Sequence, residues 1–195
     1  IDQMMAGEPL VAGVDAAFLA DLGVSDLGIL WGPYLFDDDT QFWNAYHSEW
    51  FENETSKLEQ YGLKLLSADW MYGDRNLLTK SPVQSPDDMK GLKIRTPNNT
   101  IQVKGFEMMG ATPTPMALGD VYTSLQQGTV DGLENPLPVL YGGKYQEVAK
   151  FLTLTQHVKC MNTWVCSSEY FNSLTEEQQE SLINTCNEAA KTNNE

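Results

Sequence analysis

Apolar residues along the chain follow two rhythms, one helical and one alternating. Gly28 to Phe36 (GILWGPYLF) is a nearly continuous apolar run broken by Gly-Pro, which predicts a buried strand entering a loop. From Thr40, the residues Trp43, Tyr46, Trp50 and Phe51 recur at helical spacing, with Glu49, Glu52, Glu54 and Glu59 expected to be exposed. That predicts a helix with an aromatic stripe facing a core, and Asp37, Asp38 and Asp39 place negative charge where a helix amino end favours it. Leu63 to Tyr72 alternates and reads as a strand.

Shorter periods follow. Ser85-Pro86-Asp87-Asp88 carries a cap, a proline at the first helical position and an acid three residues past the cap, and Gly91 stops this short helix. Leu92 to Arg95 (LKIR) is predicted as a strand ended by Pro97, followed by a helix from Ile101 to Met109 that Gly110 closes. Ala111 to Met116 is extended, Asp120 to Gln127 helical up to Gly128, and Thr129 to Leu133 a short strand. A helical stretch covers Leu137 to Lys150, and Phe151 to His157 alternates strictly. Strand and helix taking turns predicts an α/β fold, a parallel sheet with covering helices. A capping box at Thr175–Gln178 opens a last helix, with Leu182, Ile183 and Cys186 on one face. Gly110, Gly128 and Gly132 read as helix stops and tight backbone, and Met108, Met109 and Met116 as core.

Composition narrows the class. The chain has 195 residues, 42% of them apolar and 20 aromatic, enough to bury a core and too many for intrinsic disorder. Acidic residues outnumber basic ones 27 to 12 for a net charge of −15, which argues against a nucleic-acid partner. No run approaches the roughly 20 apolar residues of a membrane span. The charge is unevenly spread. Gly73 to Lys159 holds nine basic and eight acidic residues, a net of +1, while the remainder holds three basic and nineteen acidic, a net of −16. Two bodies are predicted, with a near-neutral one inserted between acidic segments. Both arginines of the chain, Arg75 and Arg95, lie in the inserted body. A guanidinium fork holds a carboxylate by two parallel hydrogen bonds, although surface salt bridges are the plainer reading of two arginines.

Several chemistries find no support. No glycine-rich phosphate loop, dinucleotide fingerprint or nucleophile elbow is present. His47 and Glu49 stand two apart and cannot share a helical face, and His157 with Cys160 lacks a second pair of metal ligands. The three cysteines, Cys160, Cys166 and Cys186, are odd in number and without CxxC spacing. They read as small buried apolar residues, and Cys160 and Cys166 on one strand would lie about 20 Å apart. No metal, no cofactor and no catalytic residue is assigned.

The run from Ser85 to His157 resembles a known family. GLKIR-x-P, GATPTPM, the Val-Tyr-x-x-Leu-Gln helix and VDGLENP stand in the order and spacing of the solute-binding proteins of TRAP (tripartite ATP-independent periplasmic) transporters. The likeness extends more loosely to Gly28–Phe36 and Trp70–Arg75, and it is greatest for members that bind acidic sugars such as sialic acid. The resemblance implies a two-lobed periplasmic-binding-protein-like fold with a ligand cleft between the lobes. The first lobe would comprise residues 1–72 and 161–195, and the second, carrying the arginine clamp, 73–160. Family members are longer at both ends, which implies that the chain is incomplete, and the resemblance implies a signal peptide in the precursor and a periplasmic or otherwise extracytoplasmic location. The implied partners are a small organic acid and the membrane permease subunits of the transporter, with no reaction catalysed. A C4-dicarboxylate or other carboxylate as ligand, a sensor module of the same fold and an enzyme of small carboxylates are the alternatives. Residue by residue, the family's carboxylate-clamping arginine matches Arg95, a second basic contact Arg75, and the ligand-bonding asparagine of the ENP triplet Asn135. Leu118 stands where sugar-acid members carry an aromatic. Asp15 stands near an acid that contacts hydroxyls, and Asn98 follows the arginine strand. Asn135 before Pro136 also fits a turn start, and Asp15 also fits an exposed loop acid.

Overall fold

A computed structural model describes residues 1–195. Six strands alternate with nine helices. The strands are β1 (Val11–Asp15), β2 (Leu63–Thr79), β3 (Lys93–Thr96), β4 (Thr112–Pro115), β5 (Gly132–Pro136) and β6 (Phe151–Ser167). The helices are α1 (Asp2–Met5), α2 (Ala16–Asp21), α3 (Asp39–Tyr46), α4 (Glu49–Ser56), α5 (Thr100–Met108), α6 (Val121–Gln127), α7 (Leu137–Gly142), α8 (Ser168–Ser173) and α9 (Glu176–Asn194). The chain divides into two compact units. One contains Ile1–Leu30, Phe36–Tyr72 and Cys160–Glu195, and the other Trp31–Leu35 and Gly73–Lys159. The seventeen-residue strands β2 and β6 each contribute to both.

In the first unit, β1 lies antiparallel on the far half of β6, from Val11↔Cys166 to Asp15↔Asn162. Glu54, expected to be exposed, is buried with its carboxylate on Lys57 Nζ, and the aromatic stripe is real in part: Tyr46 and Phe51 are buried, Phe42 joins them, and Trp43 is half-buried. It is carried by two helices rather than the one helix expected. Ser48 interrupts it and accepts a hydrogen bond from Phe51 N at 3.1 Å, so α4 starts afresh and the helical phase is lost. Trp50 is accordingly left exposed. Thr175 caps α9 as its capping box predicts, and α9 packs Cys186 with Leu66, Cys166 and Phe171. All three cysteines are buried, and none forms a disulfide.

The second unit is a layered α/β body. β2 pairs antiparallel with β5, β5 pairs parallel with β3, and β3 pairs parallel with β4. Side chains alternate across a strand, so neighbouring leucines serve opposite layers. Leu78 and Leu133 pack with Val121 and Leu125 of α6 and Leu140 of α7, whereas Leu77 and Ile94 pack with Phe106 of α5 and Met89. α5 begins where Asn99 accepts from Gln102 N at 3.0 Å, and α6 ends at Gly128 with φ 79°.

Two expectations fail here. Gly28–Phe36 is not a strand: Ser25–Trp31 forms a 3₁₀ helix, and Val24, Leu27 and Leu30 are buried at the three-residue period of that helix. A short apolar run carries too little periodicity to separate the two. Met108 is not core but 89% exposed, because it stands two residues, more than half a turn, past the inward-facing Phe106.

Gly132 sets β5 against its neighbours. A Cβ there would meet Thr79 Cγ2 at 2.6 Å and the Leu78 carbonyl oxygen at 2.8 Å. We expect Gly132→Ala to force the strands apart and destabilise the chain by about 1–3 kcal/mol, read as a lower midpoint in urea denaturation.

Candidate functional site

Arg95 is the next-to-last residue of β3, and its side chain is only 4% exposed. Its Nε and Nη2 both donate to the Met116 carbonyl oxygen just past β4, at 3.0 and 2.7 Å. Nη1 has no partner within the chain, and it is not among the polar atoms sealed from solvent. Burial pulls the guanidinium below its ordinary range, while the Glu134 carboxylate partly restores it and Arg75 opposes it. An arginine keeps its proton through such shifts. Arg95 is thus a buried cation satisfied on one side by a backbone dipole and holding no carboxylate of its own.

Arg75, on β2, is in the opposite situation. Its Nε and Nη2 donate to Glu134 Oε2 and Oε1 at 2.5 and 2.7 Å, a bidentate pair in which both residues are almost wholly buried. The Trp31 ring lies over the guanidinium, with 5.1 Å from Cζ to the ring centroid. His157 Nε2 stands 3.3 Å from Glu134 Oε2, its Nδ1 2.8 Å from Thr155 Oγ1, and Phe106 meets the ring edge-on. Burial alone would raise the Glu134 carboxyl, but the Arg75 charge and hydrogen bonds, with His157 behind them, outweigh it and hold the group at about 2.

Strand register divides these groups. Arg95 lies opposite Leu133, so it shares a face with Leu133 and Asn135, whereas Glu134 and Arg75 belong to the other face. Asn135 is 4% exposed, and its side-chain amide makes no hydrogen bond within the chain. Leu118 is half-exposed, and its carbonyl accepts from the Tyr145 hydroxyl at 3.2 Å. Burial raises the Tyr145 hydroxyl pKa and the Arg95 charge opposes that shift, so Tyr145 joins Leu118 to the arginine's surroundings. Asn98 is exposed one residue before the cap of α5. Asp15 belongs to the first unit, where it ends β1 and precedes α2 without capping it. No group of three or more candidate metal ligands is present, at His157 and Cys160 or elsewhere.

Glu134, Trp31 and the Met116 carbonyl escaped the sequence reading. For Glu134 a signal was available, since it is the first letter of the ENP triplet and the one charged residue of a short strand. Replacing it isolates the buried Arg75 charge. We expect Glu134→Gln to destabilise the chain by about 3–5 kcal/mol at neutral pH. A carboxyl held down in the folded state stabilises above its ordinary pKa and loses that contribution as pH falls toward the depressed value. The gap between parent and variant in urea titrations should therefore narrow between about pH 4.5 and pH 2.

Comparison with known proteins places this arrangement. The model of bacterial extracellular solute-binding protein family 7 matches residues 1–195. The 2,3-diketo-L-gulonate-binding periplasmic protein YiaO of Escherichia coli is 34% identical over 190 residues, 97% of this chain and 55% of its own length. Two solved TRAP periplasmic solute-binding proteins are each 39% identical, with TM-scores of 0.95 over 99% of this chain and 64% of theirs. One comes from Ochrobacterium anthropi with bound L-fuconate, the other from Actinobacillus succinogenes with bound L-galactonate. The chain spans little more than half of its curated relative. Its mixed α/β architecture is that of these binding proteins, and the chain belongs to the bacterial extracellular solute-binding protein family 7.

Proposed function

We propose that the chain is the greater part of an extracytoplasmic solute-binding protein that captures a sugar acid and delivers it to the membrane permease of a TRAP transporter. One observation carries this reading: Arg95 is buried as a cation without a carboxylate, with Nη1 unpartnered. A buried charge left unpaired is unfavourable, so the arrangement is best explained by an anion that arrives with the ligand. Nη1, and Nη2 beyond its bond to Met116, would grip the ligand carboxylate. Asn135, on the same face, offers an amide that both donates and accepts, as sugar hydroxyls require. Leu118 would supply apolar contact without a ring face, and Arg75 would act from behind Glu134. Asp15 and Asn98 are weaker members of the set.

The relatives' bound L-fuconate and L-galactonate direct the choice of ligand class toward aldonates. Binding without turnover is the whole of the proposed activity, and no helix of the chain is long and apolar enough to cross a membrane. A thermal-shift screen of aldonates, uronates, sialic acids and C4-dicarboxylates should raise the melting temperature for a sugar acid, because a ligand selective for the folded state stabilises it.

Arg95 yields a paired expectation. Arg95→Ala should weaken binding of the selected acid about thirty- to several-thousand-fold in titration calorimetry, the loss expected when one partner of a buried charge pair is truncated. Arg95→Met, which keeps the apolar stem, should leave the ligand-free melting temperature unchanged or higher. Unchanged affinity in the alanine variant would reject the clamp.

A further inference from the structure

Behind the Arg75–Glu134 pair lies a small internal space. Trp31, Gln102, Gly105, Phe106, Glu134 and His157 surround about 10 Å³ open to the centre of a water molecule. One water requires about 10–15 Å³ so measured, together with two to four polar partners. The partners are present and unused. Trp31 Nε1, Gln102 Oε1 and Gln102 Nε2 are all sealed from bulk solvent and make no hydrogen bond within the chain. Trp31 is 1% exposed and Gln102 5%. Three idle polar atoms around one gap are unusual, since buried polar groups in native proteins are nearly always paired.

The local sequence explains how they meet. Gln102, Gly105 and Phe106 share one face of α5, at offsets of three and four residues. Gly105 lets that face approach closely, because a Cβ there would stand 3.2 Å from Pro33 Cγ. Phe106 and His157 meet edge-on and close one side, and the Trp31 ring closes another while covering the Arg75 guanidinium.

We propose that this space is a binding site for one ordered water. The water accepts from Trp31 Nε1–H and donates to Gln102 Oε1 and to a free lone pair of Glu134. Gln102 Nε2 supplies a further donor. An ionised carboxylate accepts about four hydrogen bonds; Arg75 and His157 take two on Oε2 and Arg75 one on Oε1, which leaves a lone pair on Oε1. Two unpartnered N–H donors among the lining residues favour water over a metal cation. Through this water, helix α5 gains a polar connection to the carboxylate that holds Arg75.

A crystal structure of the full chain at about 1.5 Å tests the site. A density peak within about 2.7–3.2 Å of both Trp31 Nε1 and the Gln102 amide is expected. An empty gap, or a Gln102 side chain turned to bond Trp31 directly, overturns the proposal. Gln102→Leu provides an independent arm. If the gap is dry, leucine removes two unpaired polar atoms and the melting temperature holds or rises. If the water is bound, leucine deprives it of its main partner and the melting temperature falls. A fall is expected, and an unchanged or higher value overturns the site.

Discussion

Two buried guanidinium groups and one buried carboxylate organise the inserted unit. Glu134 is committed to Arg75, which bonds both of its oxygens, and it stands on the sheet face away from Arg95. Arg95 is left with the carbonyl of Met116, a dipole rather than a charge. The cluster therefore carries one positive charge more than it neutralises. Such an imbalance is a stability cost that a protein keeps at a functional site and offsets elsewhere, here through the apolar layers on both sides of β5.

The strand pleat makes the imbalance directional. Adjacent residues of β5 send Glu134 to one face and Asn135 to the other, so one three-residue step provides both the internal counter-ion and an idle amide. Gly132 permits the close approach of β2 and β3 on which this depends. Pro136 then ends the strand and leads directly into α7. The ENP triplet is thus one structural device, in which the glutamate fixes Arg75, the asparagine stays free and the proline ends the strand.

Much of this was legible in the sequence, and what was not has a physical reason. Helix limits marked by Asn99, Thr175 and Gly128 were readable because capping is local chemistry. Arg75 and Arg95 could be singled out because they are the only arginines of the chain, and the resemblance of GLKIR-x-P pointed to Arg95 as the clamp. Its partner was not readable, since Met116 acts through its backbone, which every residue possesses. Trp31 was assigned to a strand because a run of nine mostly apolar residues fits buried helix and buried strand alike; only the three-residue burial period distinguishes them. Ser48 was equally ambiguous. Within a helical pattern a serine passes as an exposed residue, and its role as a new cap depends on a backbone turn that periodicity does not report.

The charge imbalance also bears on what kind of anion fits. On the proposed reading, a single excess positive charge is neutralised by a monocarboxylate, and the remaining polar demand falls on neutral groups such as the Asn135 amide. A second carboxylate on the ligand would have to be desolvated without a cation of its own in this unit, since Arg75 is already committed to Glu134. Two lysines near the arginines do not change this: Lys93, next but one to Arg95, is exposed, and Lys159 Nζ pairs with Asp74 Oδ1 at 3.3 Å. A fork geometry with one open edge, backed by a backbone carbonyl, selects for a planar monoanion by shape as well as by charge. Hydroxyl-bearing carbon beyond that carboxylate then meets an amide and an aliphatic surface at Leu118, which suits a polyhydroxy chain better than a second ionised group.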